Sequence, residues 1–234
     1  MIGYGPLLIF GVFLILSMII GNQLKSRFKR YSKIPINYGM TGKEVAEKML
    51  HENGIYDVQV RAVKGQLTDH YNPATKTVNL SPEVYQGNSV ASAAIAAHEC
   101  GHAVQHAHAY APLQLRTALV PIQNVSAKVM NFIFMAMFFG AFLLPGLINF
   151  NSAIVIIAAC YGVFTLFAFI TLPVEINASQ RALAWLNGSG ITDRSTHEQA
   201  KDALKWAAYT YVVAALSSLA MLLYYLSLLS GRRN

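Results

Sequence analysis

The residues best suited to chemistry in this 234-residue chain fall in one stretch, AAIAAHECGHAVQHAHAY, residues 93–110. It holds four of the seven histidines. His98 and His102 bracket Glu99 in the order H-E-x-x-H. On a helix, positions i and i+4 share one face, so two imidazoles at this spacing can reach a single Zn²⁺ at about 2.0–2.1 Å each. Glu99 is one residue on, beside such a metal and not on it. It can take a proton from a metal-activated water and return it to a leaving amine. The competing reading, a chance match, is disfavoured by the context: a helix in a loop next to a membrane.

A catalytic zinc site needs a third protein ligand and an open position for water. Three residues compete for that place. His108 lies ten residues after His98, the offset of metal sites in which a glycine breaks the helix, but Gln105 stands at the glycine position. On an unbroken helix His108 is about 9 Å along the axis from His102 and rotated away. His106 is i+4 from His102, yet a straight helix cannot bring residues 98, 102 and 106 to one metal. Both suit ring packing or a supporting hydrogen bond better. Glu175, in TLPVEINASQRALAWL, stands where an apolar run ends, and only eleven acidic residues exist in the chain. A plain interfacial acid is the alternative reading. As a ligand it completes a His₂Glu set.

The elements that must position these groups are partly legible. Thr41 to Glu44 form a T-x-x-E capping box opening a helix that stops near Asn53-Gly54. Val58, Val60 and Ala62 alternate with polar residues as in a strand. Residues 67–71 and 75–80 flank Asn72-Pro73-Ala74, a turn signal. Ser81-Pro82-Glu83 starts a short helix. A longer, alanine-rich helix begins at Asn88 or Ser89 and carries the motif to about Ala107, limited by Pro112.

Apolar residues make up 54% of the chain and charged ones only 12%, about half the charged share of soluble proteins. Four runs suffice to cross about 30 Å of hydrocarbon: residues 5–20 (extendable to 4 and 24), 129–148, 153–174 and 207–229. The first is followed by Lys25, Arg27, Lys29, Arg30 and Lys33. A cleaved signal peptide carries its basic residues before the apolar run, so this reads as an anchor with the next loop in the cytoplasm. The break at about 149–151 between the second and third runs makes a hairpin, which returns Glu175 to the side holding the motif. Arg232 and Arg233 at the far end run against that orientation. Trp185 and Trp206 suit membrane-interface anchors. The net charge of +7 is explained by the basic loop, and no nucleic-acid partner is expected. Cys100 and Cys160 form no CxxC pair and imply no disulfide framework.

HECGH, followed after a hairpin by PVEINASQRA and preceded by LTDHYNPATKTVNLSPEVY, resembles the YugP-like family of neutral zinc metallopeptidases, membrane enzymes of the gluzincin type. It is more distantly similar to HtpX and the CAAX-processing proteases, whose third ligand comes from Glu-x-x-Ala-Asp. Here those positions read Glu175, Ile176, Asn177, Ala178 and Ser179, with serine at the acid position. Its hydroxyl can still orient a ligand. The resemblance implies a zinc site near the cytoplasmic membrane face and a strand near residues 75–80 that presents its edge to substrate. His70 or Tyr71, just before that strand, are candidates to contact substrate or steady the oxyanion. Arg181 is a further supporting candidate, toward Glu175 or a substrate carboxylate.

The expected architecture is therefore a mainly α membrane protein: about four transmembrane helices plus a small α+β cytoplasmic zincin-like domain with a short β-sheet. Residues 1–24 form the anchor, 25–127 the motif domain, 128–174 the hairpin, 175–206 the segment with the third ligand and 207–234 the last crossing. The expected activity is a zinc endopeptidase at the cytoplasmic face of the cell membrane, with one Zn²⁺ per chain held by His98, His102 and Glu175, and Glu99 as base. Expected partners are a peptide or membrane-protein substrate, the lipid bilayer and a regulatory membrane protein. Two other readings compete. An intramembrane site-2-type protease would place the motif in a spanning helix and use an aspartate ligand, but 91–97 is too short to span. A non-catalytic scaffold or quality-control partner with a structural zinc, or with none, would lack the open coordination position.

Overall fold

The computed structural model describes residues 4–143 and 149–231. Residues 144–148, part of the second expected crossing, and Arg232 and Arg233 lie outside the described residues. The chain divides into two compact units: Met1–Met18, Leu115–Leu172 and Tyr211–Asn234 form one, and Ile19–Gln114 with Pro173–Thr210 the other.

Among the described residues four helices are long and apolar enough to cross a membrane. They are α1 (Gly5–Tyr31), α5 (Ala111–Leu143), α6 (Phe150–Gly188) and α7 (Arg194–Ser230). Helices α1, α6 and α7 each contain an expected apolar run and extend beyond it, and α5 holds the described part of the second run, residues 129–143. Within the first unit, Met130, Ile133, Ile154, Ile157, Met221 and Tyr225 form a buried seam. Tyr161 stacks on Tyr225 at 5.6 Å. Asn149 caps α6, its Oδ1 accepting from the Asn151 amide at 2.9 Å.

The second unit contains the motif. Helix α2 (Gly42–Glu52) starts at the capping box: the Thr41 amide donates to Glu44 Oε2 at 2.7 Å, and the Glu44 amide donates to Thr41 Oγ1 at 3.3 Å. Both bonds satisfy amides that a helix start leaves without intrahelical partners. Strands β1 (Gln59–Ala62), β2 (His70–Asn72) and β3 (Thr77–Leu80) form the sheet. Asn72 Oδ1 accepts from the Ala74 and Thr75 amides, closing the β2–β3 turn. Helix α3 (Pro82–Gln86) has Pro82 in its first turn and no side-chain cap from Ser81. Helix α4 (Val90–Ala107) carries the motif, with Ser89 as N-cap accepting from the Ser92 amide at 3.2 Å.

The strand order is β1-β3-β2, with β1 parallel and β2 antiparallel to β3. This corrects the expectation of a free edge at residues 75–80. β3 is central and buried along its whole length, and the outer strand on the hairpin side is β2.

Nearly all of α4 is buried. Its alanines 91, 93, 94, 96 and 97 pack in one core with Val45, Met49 and Leu50 of α2, Val78 and Leu80 of β3, Ala182 and Leu186 of α6, and Ala200 and Leu204 of α7. A helix enclosed on several sides keeps small side chains so that its neighbours approach closely. The two tryptophans are part of this frame. Trp185 Nε1 donates to Glu52 Oε2 at 2.7 Å, joining α6 to α2. Trp206 lies under the Arg27 guanidinium, and Arg27 pairs with Asp202 at 2.9 Å, joining α1 to α7.

Candidate metal centre

His98 and His102 sit one turn apart on α4, and Glu175 faces them from α6. Glu175 Oε2 is 3.3 Å from His98 Nε2 and 3.5 Å from His102 Nε2. Two ligands held at about 2.0–2.1 Å with tetrahedral angles stand about 3.3–3.4 Å apart, so these donors have the spacing that one Zn²⁺ requires. All three ligand atoms lie within 4.8 Å of one another, and among the described residues no fourth His, Cys, Asp or Glu joins them. The residues present thus fit zinc with a coordination position left over. Glu175 is 3% exposed, and a carboxylate so deeply buried requires cationic or hydrogen-bonding neighbours.

The remaining ring nitrogens are tied back. His98 Nδ1 lies 3.1 Å from Ser179 Oγ, so a serine at the position where related families carry an acid still reaches a ligand. His102 Nδ1 lies 3.0 Å from Gln105 Oε1. With Nδ1 occupied, each ring turns Nε2 toward the metal position. Burial works to lower the His102 pKa, but the hydrogen bond to Glu175 and the charges of Glu99 and Glu175 outweigh it and hold the imidazole above its ordinary value.

Glu99 is buried beside this cluster, and its Oε2 accepts from the Tyr71 main-chain amide at 3.0 Å. The outer strand thereby holds the motif glutamate in place. Tyr71 Oη bonds His106 Nδ1 at 2.8 Å. The exposed His70 ring lies between Thr68 O, 2.8 Å from Nδ1, and Asn79 Nδ2, 3.2 Å from Nε2. Arg181 Nε donates to Asn177 Oδ1 at 2.8 Å. His108 is the C-cap of α4 and donates through Nδ1 to Val104 O at 2.8 Å. The helix ends there through a left-handed turn at Ala109, φ 49°, three residues before Pro112. Cys100 is fully buried, with Sγ 3.5 Å from Ala46 O on the α2 side, and burial pushes its thiol pKa well up.

Three contributors escaped the sequence reading: the Tyr71 amide, Asn177 and Gln105. Only Gln105 left a sequence signal, as the residue standing where a helix-breaking glycine would serve a different zinc site.

Gly101, inside the motif, sets how closely α4 and α6 approach. A Cβ there would lie 2.6 Å from Ala178 O and 3.1 Å from its C and Cα. These are backbone atoms and cannot rotate aside. Gly101→Ala should therefore cost about 1–3 kcal/mol, the usual range for overpacking, and weaken metal binding by forcing Glu175 back. A thermal-unfolding and zinc-titration pair checks this; unchanged Tm and affinity would contradict the close approach.

A family model described as "putative neutral zinc metallopeptidase" matches residues 6–230. The chain belongs to that family. It is also 41% identical over 211 residues to the "putative membrane protease YugP" of Bacillus subtilis (strain 168), covering 90% of each chain. The family implies Zn²⁺, and the His98, His102 and Glu175 cluster is where this chain offers it ligands. No solved structure matches the chain.

Proposed function

We propose that this protein is a membrane-bound zinc endopeptidase, with a zincin-like domain that hydrolyses peptide bonds at the cytoplasmic face of the cell membrane. The observation that carries the reading is the spacing of Glu175 Oε2 from two histidine nitrogens one turn apart, with the motif glutamate beside them. Zinc, when bound, supplies a Lewis acid that polarises the scissile carbonyl and lowers the pKa of water. His98, His102 and Glu175 hold it. Glu99 takes the proton from the attacking water and delivers it to the departing amine. The Tyr71 amide keeps the Glu99 carboxylate turned toward the site, and Ser179 and Gln105 keep the imidazoles in register.

The cytoplasmic placement is supported by the basic residues 25–33 following the first apolar run. The substrate class is a peptide or a membrane protein presented at the bilayer surface, and a regulatory membrane partner is compatible with that location. No role for nucleic acid is proposed. The donor set speaks against the competing readings: the acidic ligand is a glutamate, α4 is not among the four candidate crossings, and Cys100 offers no fourth ligand from its place against α2.

The test is metal removal. Full-length protein in detergent or nanodiscs should lose cleavage of a reporter peptide on chelation and regain it with one equivalent of Zn²⁺. Cleavage that survives verified removal of the metal would rule the reading out.

A further inference from the structure

Gln105 is 0% exposed, three residues after His102 on α4. Its Nε2 donates to Val174 O at 2.8 Å and to Asn177 Oδ1 at 3.0 Å. Val174 directly precedes Glu175, and Asn177 follows it by two residues. Asn177 Oδ1 is identified as the oxygen because it also accepts from Arg181 Nε at 2.8 Å. With both amide hydrogens facing oxygen acceptors, the Gln105 side chain has one orientation. Its Oε1 then faces His102 Nδ1 at 3.0 Å, and an oxygen there can only accept. The hydrogen of the neutral imidazole must therefore sit on Nδ1, which leaves the Nε2 lone pair directed at Glu175 and the metal position.

We propose that Gln105 is a positioning residue of the zinc centre, acting on two of its three ligands at once. Through Oε1 it selects the His102 tautomer able to bind a metal. Through Nε2 it braces the turn of α6 on both sides of Glu175. Metal ligands are often steadied by a carboxylate on the outer ring nitrogen. A neutral amide does the geometric work here without adding a charge to a pocket that already holds Glu99 and Glu175. Asn177 and Arg181 extend the same chain of bonds and fix which way the amide points. This inference rests on the zinc reading above.

The test is zinc affinity and metal-free Tm, measured by competition with a chromophoric chelator and by thermal unfolding, on full-length wild type, Gln105→Met and Gln105→Glu. Methionine keeps the volume and removes both functions; zinc binding should weaken about 10–100-fold, the usual effect of losing a group behind a metal ligand. Glutamate still accepts from His102 Nδ1 but cannot donate to Val174 or Asn177. It should recover much of the zinc affinity while its metal-free Tm stays as low as that of the methionine variant. Near-wild-type affinity in Gln105→Met would overturn the proposal. Equal loss in both variants would also overturn it, by showing that the acceptor facing His102 Nδ1 contributes nothing to zinc binding. A wild type that binds no zinc would instead refute the metal centre itself, before Gln105 is in question.

Discussion

Glu99→Gln is expected to keep one zinc per chain and to lose hydrolysis by roughly 10²–10⁴-fold, the range of a general acid–base contribution. The substitution is nearly isosteric. A glutamine Oε1 can still accept from the Tyr71 amide, so β2 and α4 should keep their contact. What disappears is the capacity to accept a proton from water and hand it on. Because none of the three proposed ligands is touched, zinc content and catalytic rate should separate. Zinc stoichiometry by elemental analysis, alongside initial rates on one peptide substrate, measures both. A fully active Glu99→Gln protein would mean that another group carries the proton.

Glu175→Gln is expected to act on the metal itself. The carboxylate is the only anionic member of the donor cluster, and an amide oxygen is a far weaker zinc ligand. Affinity should fall by more than the about 10–100-fold attached to supporting residues, with activity falling in parallel. The metal-free protein carries a second signature. Glu175 is the largest of the groups that raise the His102 pKa against the pull of burial, with Glu99 and Gln105 adding to it. A raised histidine pKa adds stability that is fully present below the unfolded value of 6.5 and is lost as pH rises through the folded value. In metal-free wild type, Tm should therefore decline across that window. In Glu175→Gln the His102 part of this slope should shrink, since only Glu99 and Gln105 then remain to raise that pKa against burial. An unchanged slope would contradict the His102–Glu175 contact.

How much of this was legible beforehand follows from the range of each interaction. His98 and His102 were legible because i,i+4 geometry is local and a helix is the only element their surroundings favour. The Thr41 capping box and the Ser89 start of α4 are local for the same reason. Glu175 required one non-local step, the expectation of a hairpin from two apolar runs with a short break between them. The strand order needed more. β1 pairs with β3 in parallel, and nothing in residues 59–62 or 77–80 alone says that β3 lies between two partners, so the free edge was assigned one strand too late. The bond of Trp185 to Glu52 was not legible, because the two are 133 residues apart. The Tyr71 contribution comes from a main-chain amide, which every residue but proline possesses and which leaves no mark on the sequence. Gln105 is bonded across 69 and 72 residues to groups on another helix. Gly101 drew no reading from the sequence; its purpose appears once the Ala178 backbone oxygen is seen 2.6 Å from where a Cβ would be.

The proposed centre holds one zinc through two imidazoles and the Glu175 carboxylate, with a position left for water. Zinc-edge X-ray absorption on the purified full-length protein tests it most directly. One zinc is expected in a shell of nitrogen and oxygen only, with two imidazoles at about 2.0–2.1 Å and the shell altered in Glu175→Gln. A sulfur neighbour at about 2.3 Å, or a shell unchanged by Glu175→Gln, would contradict it.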